Sequence, residues 1–277
     1  MFCLNICEIS NMFTSSNLSI DKFILDIENQ KKEKLSRIYI GSYFCSQYFL
    51  LSSGITQIVE FCEKNRIEMT LVIPVFSEKD LSTAKHKIAY FLNNYKFMTE
   101  VTVNDYGMLN HIQKNFDKKI NLGRLFFKDP RDIRIKDYFI KKLSPSYFTF
   151  TESGININLV ELDNTQFEPF DCKDFSFEFK IGVHTPWCFM STGNICKHAS
   201  IHRSIEKKFR PNCVCRLECE ATYEEYNKKD FCIIHFGRTI YYYNALDNEQ
   251  NYRLIYFPLV ELKNYFAENE HENFGTT

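Results

Sequence analysis

The sequence predicts an α/β protein built on a parallel β-sheet, either open or closed into a barrel. Two observations lead to this fold class. In the first two thirds of the 277 residues, short β-rich runs alternate with helical patterns, and units of this kind imply right-handed crossovers between parallel strands. The run at 69–76 is almost continuously apolar, which is typical of a strand that a parallel sheet buries on both faces.

The alternation begins near residue 36 and continues to residue 162. Strands are predicted at 36–44, 69–76, 100–103 and 120–127, helices at 55–62, 80–94, 106–116 and 133–143, and the segments 146–151 and 155–162 continue the series. In both open sheets and barrels of parallel strands, functional groups collect at the carboxyl ends of the strands. We therefore expect the site at that end.

The pattern changes after residue 162. A strand is predicted at 175–183, and residues 184–220 are polar and rich in cysteine, with little periodicity. Residues 231–236 and 239–243 predict two strands around a glycine turn. Residues 252–266 form a mixed apolar tail. Because no repeat and no flexible linker interrupt the chain, we predict one domain over 1–277, with a cysteine-rich segment at 184–223 inside it.

Composition limits the function classes. The chain has 34 Lys and Arg against 35 Asp and Glu, so its net charge gives no reason to expect a nucleic acid, a membrane surface or a polyanion as partner. It lacks an apolar run of about 18 residues, which a transmembrane helix needs, and its first ten residues lack the basic start of a signal peptide. We expect a cytoplasmic protein with reduced thiols, in which clustered cysteines indicate metal or redox chemistry.

Eleven cysteines are the most unusual feature of the composition. Five of them fall within 32 residues: Cys188, Cys196, Cys213, Cys215 and Cys219. Cys45 is remote in sequence, but it follows a predicted strand, where loops of a parallel sheet converge. Thiolates at this density bind zinc or an iron–sulfur cluster. Structural zinc sites usually contain Cys-x2-Cys pairs, which this chain lacks, so the spacing favours a [4Fe–4S] cluster and leaves zinc or no metal open.

The remaining cysteines are predicted to be structural. Free cysteine behaves in protein cores as a small apolar residue, and Cys62 on a predicted helix face and Cys232 in an apolar strand fit that role. The five are Cys3, Cys7, Cys62, Cys172 and Cys232.

Four other polar residues are candidates for a role at the barrel mouth. Asp105 fits an N-cap better than a site residue. Arg124 fits equally a bidentate carboxylate binder and a local surface network with residues 129–132. Glu161 is expected at a solvated end of a strand. His184 is expected either to donate a hydrogen bond to a cluster sulfur or to be an ordinary histidine of a loop. The sequence contains no catalytic motif of a peptidase and no glycine-rich phosphate loop, so the identity of any catalytic residue stays unknown.

Three stretches resemble a known family. Residues 40–46 are similar to a Leu-Gly-Glu-x-x-Cys-Ser segment, residues 103–109 to an Asn-Asp-x-Gly strand-to-helix turn, and residues 184–219 to a signature with a Cys after a Thr-Gly pair and a later Cys-x3-Cys. The family is that of the collagenase-like U-type peptidases, family thirty-two. The stretches resemble most of all its anaerobic ubiquinone-hydroxylation members, UbiU and UbiV.

The resemblance implies a barrel-like α/β fold and a [4Fe–4S] cluster. Its ligands, carried over position by position, are Cys45, Cys196, Cys215 and Cys219. Many members use a cysteine at the place of Cys188 instead of a remote one, but here the spacing from Cys188 to Cys196 is one residue longer than usual. Cys213 has no counterpart that we can assign.

The resemblance also implies a function. The chain is expected to act in or to assist oxygen-independent hydroxylation of a small molecule, in a heterodimer with a UbiU-like partner. The alternatives are a non-catalytic protein with a structural metal site, a peptidase, and an RNA base hydroxylase. The lack of a basic surplus disfavours the last, although residues 207–210 could form a local basic patch.

Overall fold

The structure of the protein, a computed structural model, describes residues 1–15, 19–126, 155–164, 180–200, 203–207, 215–219, 223–228, 231–246, 252–261 and 264. The predicted segments 133–143 and 146–151, the residues 129–132, Cys172 and Cys213 lie outside these ranges. So does most of the basic patch considered at 207–210.

Eight parallel strands close into a barrel. They are β1 (Phe2–Asn5), β2 (Leu35–Gly41), β3 (Glu68–Ile73), β4 (Met98–Val103), β5 (Lys119–Leu122), β6 (Ile157–Asp163), β7 (Lys180–Thr185) and β12 (Arg253–Tyr256). Each strand pairs with the next in this order, and β12 pairs in parallel with β1 to complete the circle. The predicted parallel α/β fold is confirmed, and it is the closed form.

In the described part of the chain, helices cover the outside of the barrel between successive strands from β1 to β5. They are α1 (Met12–Ser15), α2 (Ile20–Lys31), α3 (Ser46–Leu51), α4 (Gly54–Asn65), α5 (Leu81–Asn94) and α6 (Tyr106–Asn115). In α4 the buried side chains Ile55, Ile58, Val59 and Cys62 recur at helical spacing, which gives the helix one apolar face for the barrel wall. The helices predicted at 55–62, 80–94 and 106–116 are confirmed. Among the helices that the structure describes, none combines the length and the hydrophobicity that a membrane crossing requires.

A second sheet is inserted between β7 and β12. Its strands are β8 (Trp187–Thr192), β9 (Tyr223–Lys228), β10 (Phe231–Phe236) and β11 (Thr239–Tyr243), and they pair antiparallel in the order β8–β11–β10–β9. The hairpin predicted at 231–243 is confirmed, with its turn at Gly237. The segment that follows residue 184, which shows little periodicity in sequence, contains regular structure, because β7 extends to Thr185 and β8 follows directly.

The inserted sheet packs over the carboxyl end of the barrel through aromatic side chains. Phe44, just after β2, stacks on Phe189 of β8 with ring centroids 4.5 Å apart. Tyr241 of β11 lies 6.1 Å from Phe44 and 5.6 Å from Phe257, which follows β12. Because aromatic rings bury large apolar areas, these contacts fix the sheet on the end of the barrel where a site is expected.

Within the described part of the barrel, buried polar side chains form two clusters in the interior. In one, Glu100 of β4 accepts hydrogen bonds from Arg253 of β12 on both carboxylate oxygens, at 2.5 and 3.0 Å. In the other, Glu161 of β6 accepts hydrogen bonds from Thr102 at 2.5 Å and from Tyr43 at 2.8 Å. Buried polar groups need such partners, and here the strands β4 and β12 and the loop after β2 supply them.

Candidate functional site: a four-cysteine pocket

A pocket lies at the carboxyl end of the barrel, between the loops that follow β1 and β2 and the inserted sheet. Its empty volume is about 700 Å³, including space open to solvent. Cys45, Cys196, Cys215 and Cys219 all line it. The structure therefore brings to one pocket the four residues that the family resemblance singles out. They come from three separate parts of the chain.

The four thiols do not form a ready metal site as they stand. Over the described ranges, with their gaps, no three side chains of His, Cys, Asp or Glu are grouped so that they could hold one metal ion. Cys196 Sγ instead donates a hydrogen bond to the Gly237 carbonyl at 3.8 Å. Four cysteine thiolates are suitable ligands for an iron–sulfur cluster or for zinc, since soft metals prefer sulfur. To bind either, the four side chains must turn toward one another.

Cys45 is held by the start of α3. Its sulfur accepts a hydrogen bond from the Tyr48 backbone N–H at 3.5 Å, as the N-cap of that helix. Its own backbone N–H donates to Ser42 Oγ at 2.8 Å. The prediction that Cys45 lies just past a strand, in a loop at the carboxyl end, is confirmed.

Glu8 fixes the same loop from the other side. Its Oε1 accepts hydrogen bonds from Ser42 Oγ at 2.6 Å, from Tyr43 N at 2.8 Å and from Phe44 N at 2.9 Å. Burial raises the pKa of Glu8, and these three donors oppose that rise. Glu8 also lines the pocket. The sequence reasoning missed this role, although a lone acidic residue in the apolar segment 1–9 was the signal available.

Cys215 and Cys219 lie in a short described segment, 215–219. The Leu217 N–H donates to Cys215 Sγ at 3.3 Å, and Leu217 takes a left-handed backbone conformation, with φ of 60°. Cys219 is buried and lies beside the Gly237 turn. The Cys-x3-Cys spacing thus forms a tight turn that directs both residues to the pocket.

Burial keeps two of the pocket thiols protonated at neutral pH. It raises the pKa of Cys45, and it raises the pKa of Cys215 to about 11. Metals bind the thiolate form, so a metal entering this pocket has to release protons.

Cys188 does not line the pocket. It lies on β8, fully buried, and its thiol donates to the Asn164 carbonyl at 2.7 Å. Cys3, Cys7 and Cys62 are buried in the core as predicted, whereas Cys232 on β10 is only partly buried. The family resemblance offers two positions for the fourth ligand, Cys45 and Cys188. In the structure Cys45 lines the pocket together with the other three cysteines, and Cys188 does not.

The structure overturns the interpretation of Glu161 and one of the two interpretations of His184. Glu161 is not a solvated strand end, because it is fully buried inside the barrel. Burial raises its pKa to about 7, while hydrogen bonds from Thr102 and Tyr43 act against the rise. His184 is not a loop residue, because it lies on β7 with its Nε2 3.1 Å from Glu161 Oε2. Burial and the charge of Arg124 lower the pKa of His184 well below its usual value.

Arg124 is buried rather than part of a surface network. Its Nε donates to Asp163 Oδ2 at 3.1 Å, and a second nitrogen binds the other carboxylate oxygen. Its guanidinium also lies 5.3 Å from the ring centroid of Phe44. The carboxylate that Arg124 binds through two nitrogens therefore belongs to the protein itself, to Asp163. Asp105 caps α6 as predicted, accepting from Met108 N at 2.9 Å.

Comparisons with known proteins do not extend this description. The sequence matches no protein-family model, and neither the curated proteins nor the solved structures compared with it give a match. The candidate site therefore rests on the residues of the pocket and on the geometry that brings them together.

Proposed function

We propose that the protein binds an iron–sulfur cluster in the four-cysteine pocket, with Cys45, Cys196, Cys215 and Cys219 as ligands. One observation carries this proposal: four cysteines from separate parts of the chain line a single pocket at the barrel mouth. Functional sites of parallel barrels form at this end.

The surroundings of the pocket suit sulfur ligands. Backbone N–H groups already point at two of the sulfurs, from Tyr48 to Cys45 and from Leu217 to Cys215. Hydrogen bonds to ligand sulfurs are one of the means by which proteins set the properties of such clusters. When bound, a cluster with four cysteine ligands would supply one-electron transfer at the barrel mouth.

Binding requires movement of thiols that are now engaged elsewhere. The described thiols are not grouped as metal ligands, so we expect the segments around Cys196 and Cys215 to close toward Cys45 when iron and sulfide enter. The pocket's opening to solvent allows entry.

We further propose that the chain acts in, or assists, oxygen-independent hydroxylation of a small molecule together with a UbiU-like partner protein. The support is the resemblance of residues 40–46, 103–109 and 184–219 to that family, together with the barrel fold. Size-exclusion chromatography of the chain mixed with a UbiU-like protein tests the partnership. A heterodimer is expected, and two separate peaks under oxygen-free conditions would contradict it.

A second candidate is a structural zinc site that fastens irregular segments to the barrel. It is favoured by the position of Cys196 and Cys215, which lie in stretches without regular secondary structure beside the inserted sheet. Zinc would then stabilise the fold and take no part in electron transfer.

Oxygen-free purification separates the two candidates. Iron, sulfide and zinc are quantified per chain, and electron paramagnetic resonance is recorded after reduction. The cluster proposal predicts about four irons and four sulfides per chain. Stoichiometric zinc in a colourless protein would support the structural site and contradict the cluster. Protein that takes up neither metal after reconstitution would contradict both.

A further inference from the structure

The turn between β10 and β11 forms part of the wall of the cysteine pocket. Gly237 and Arg238 both line the pocket. The Gly237 carbonyl accepts from the thiol of Cys196, and a Cβ placed on Gly237 would lie 4.0 Å from Cys219 Cβ. Gly237 has a φ of 60°, a conformation that glycine adopts without strain. The turn therefore binds Cys196 by a hydrogen bond and lies beside Cys219.

Arg238 fastens the loop that carries Cys196 to this turn. Its Nε donates to the Gly193 carbonyl, and a terminal nitrogen donates to Asn194 Oδ1 at 2.6 Å. Its own carbonyl accepts from Gly193 N at 3.2 Å and from Thr192 Oγ1 at 3.3 Å. These contacts hold the loop immediately before Cys196. The loop residues 193–196 belong to no helix or strand that could fix them.

The guanidinium also brings a positive charge to the pocket. Arg238 lines the same pocket as Cys45, Cys196, Cys215 and Cys219. A fixed cation beside thiolates stabilises their negative charge, and net charge and hydrogen bonding around a cluster set its reduction potential.

We propose that Arg238 is a positioning residue of the pocket, which holds the Cys196 loop in place for metal binding and raises the reduction potential of the bound cluster. The second part rests on the proposed function, whereas the first concerns the metal-free protein and stands without it. The sequence predicts only a hairpin turn at Gly237 and Arg238. It indicates neither the positioning role nor the electrostatic role.

The first arm of the test uses metal-free protein. The rate at which iodoacetamide alkylates Cys196 is followed by mass spectrometry in the wild type and in Arg238→Met. Cys232 on β10 is the internal reference thiol. Loss of the two side-chain hydrogen bonds should raise the Cys196 rate by about tenfold, the factor that about 1.4 kcal/mol of lost restraint represents. The same rise is expected in Arg238→Lys, which keeps the positive charge, and an unchanged Cys196 rate in that variant would overturn the positioning role.

The second arm uses reconstituted protein and measures the midpoint potential of the cluster. Arg238→Met should lower it, because a positive charge is lost. Arg238→Lys, which keeps the charge but not the guanidinium fork, should restore the potential while leaving Cys196 easier to alkylate. The control is Arg66→Met, which removes an exposed arginine at the end of α4 and should change neither readout.

The outcomes separate this inference from the proposed function. A potential that stays constant or rises in Arg238→Met would overturn the electrostatic role. If wild-type protein takes up no iron at all, the proposed function fails, while the alkylation arm still decides whether Arg238 fixes the Cys196 loop.

Discussion

At the scale of single residues, Glu161 shows how the barrel alters the chemistry of one side chain. Its carboxyl is fully buried and accepts hydrogen bonds from Thr102 and Tyr43, and burial raises its pKa to about 7. The folded protein therefore holds a proton on Glu161 at pH values where the unfolded chain, with an ordinary carboxyl, has released it. For such a group, stability falls as pH rises from the unfolded pKa to the folded one.

We predict that Glu161→Gln removes this loss of stability. The amide stays uncharged and keeps an acceptor and a donor for its neighbours. Measured by denaturant unfolding, the stability of the variant relative to wild type should rise by up to about 3 kcal/mol between pH 5 and pH 7.5. A difference that is constant over this range would contradict the buried, proton-bearing carboxyl.

Residue roles differ in how far sequence can predict them. The capping role of Asp105 is predictable, because its hydrogen bond reaches only Met108, three positions away. The burial of Glu161 is not, since its partners Thr102 and His184 lie 59 and 23 residues away. Acidic residues are rarely fully buried without such partners, so local pattern alone indicates a solvated position.

At the scale of elements, the start of α4 is locked against the loop that follows β1. Gly54 is the first residue of the helix, and its N–H donates to Asn11 Oδ1 at 2.7 Å. A Cβ at Gly54 would lie 2.5 Å from the Ser10 carbonyl carbon. Backbone atoms cannot give way at that distance without a shift of the loop.

We predict that Gly54→Ala destabilises the protein by about 1–3 kcal/mol, the usual cost of overpacking a buried contact. In an unconstrained helix the same change stabilises by up to about 1 kcal/mol, so the sign distinguishes the two cases. Ser82→Ala, at an exposed position of α5, is the control and should shift the unfolding free energy by less than about 0.5 kcal/mol. Stabilisation by Gly54→Ala would contradict the close contact.

Elements with strong local periodicity were predictable, and those defined by distant pairing were not. The patterns of α4, α5 and α6 and the apolar run of β3 are local properties of the chain. The four-residue strands β1 and β12 carry no such pattern, and they pair with each other across the whole sequence, Phe2 beside Leu254. Sequence therefore predicts the parallel sheet while leaving its closure undecided.

At the scale of the whole molecule, a buried ion pair connects opposite sides of the barrel interior. Arg253, on the strand that completes the circle, binds Glu100 on the opposite side and donates to Tyr39 at 3.0 Å. Burial alone would raise the pKa of Glu100, but the hydrogen bonds of Arg253 and the charge of Arg37 outweigh it and hold that pKa at about 2. The pair therefore stays charged at all but strongly acidic pH.

We predict that Arg253→Met destabilises the protein by about 3–5 kcal/mol, because it leaves a charged carboxylate buried without its main partner. The double variant Glu100→Gln with Arg253→Met should recover part of this loss. Lys34→Met breaks the exposed ion pair with Glu28 and should cost less than about 1 kcal/mol. Denaturant unfolding of the four proteins checks the series, and equal losses for Arg253→Met and Lys34→Met would contradict the role of the buried pair.

The pocket is likewise a product of the whole molecule. Sequence shows a cluster of cysteines at 188–219 and one remote cysteine at 45, and family resemblance selects four of them. Their approach to one another depends on the inserted sheet, whose packing over the barrel mouth no local pattern predicts. The same packing takes Cys188 into the sheet, away from the pocket.

The most direct measurement of the central claim compares two alanine variants for their iron and sulfide content after oxygen-free reconstitution. Cys45→Ala removes a thiol that lines the pocket, and Cys188→Ala removes a buried thiol outside it. We predict that Cys45→Ala loses the cluster and its electron paramagnetic resonance signal, while Cys188→Ala keeps wild-type iron and sulfide. Loss of the cluster in Cys188→Ala together with its retention in Cys45→Ala would contradict the assignment of the pocket.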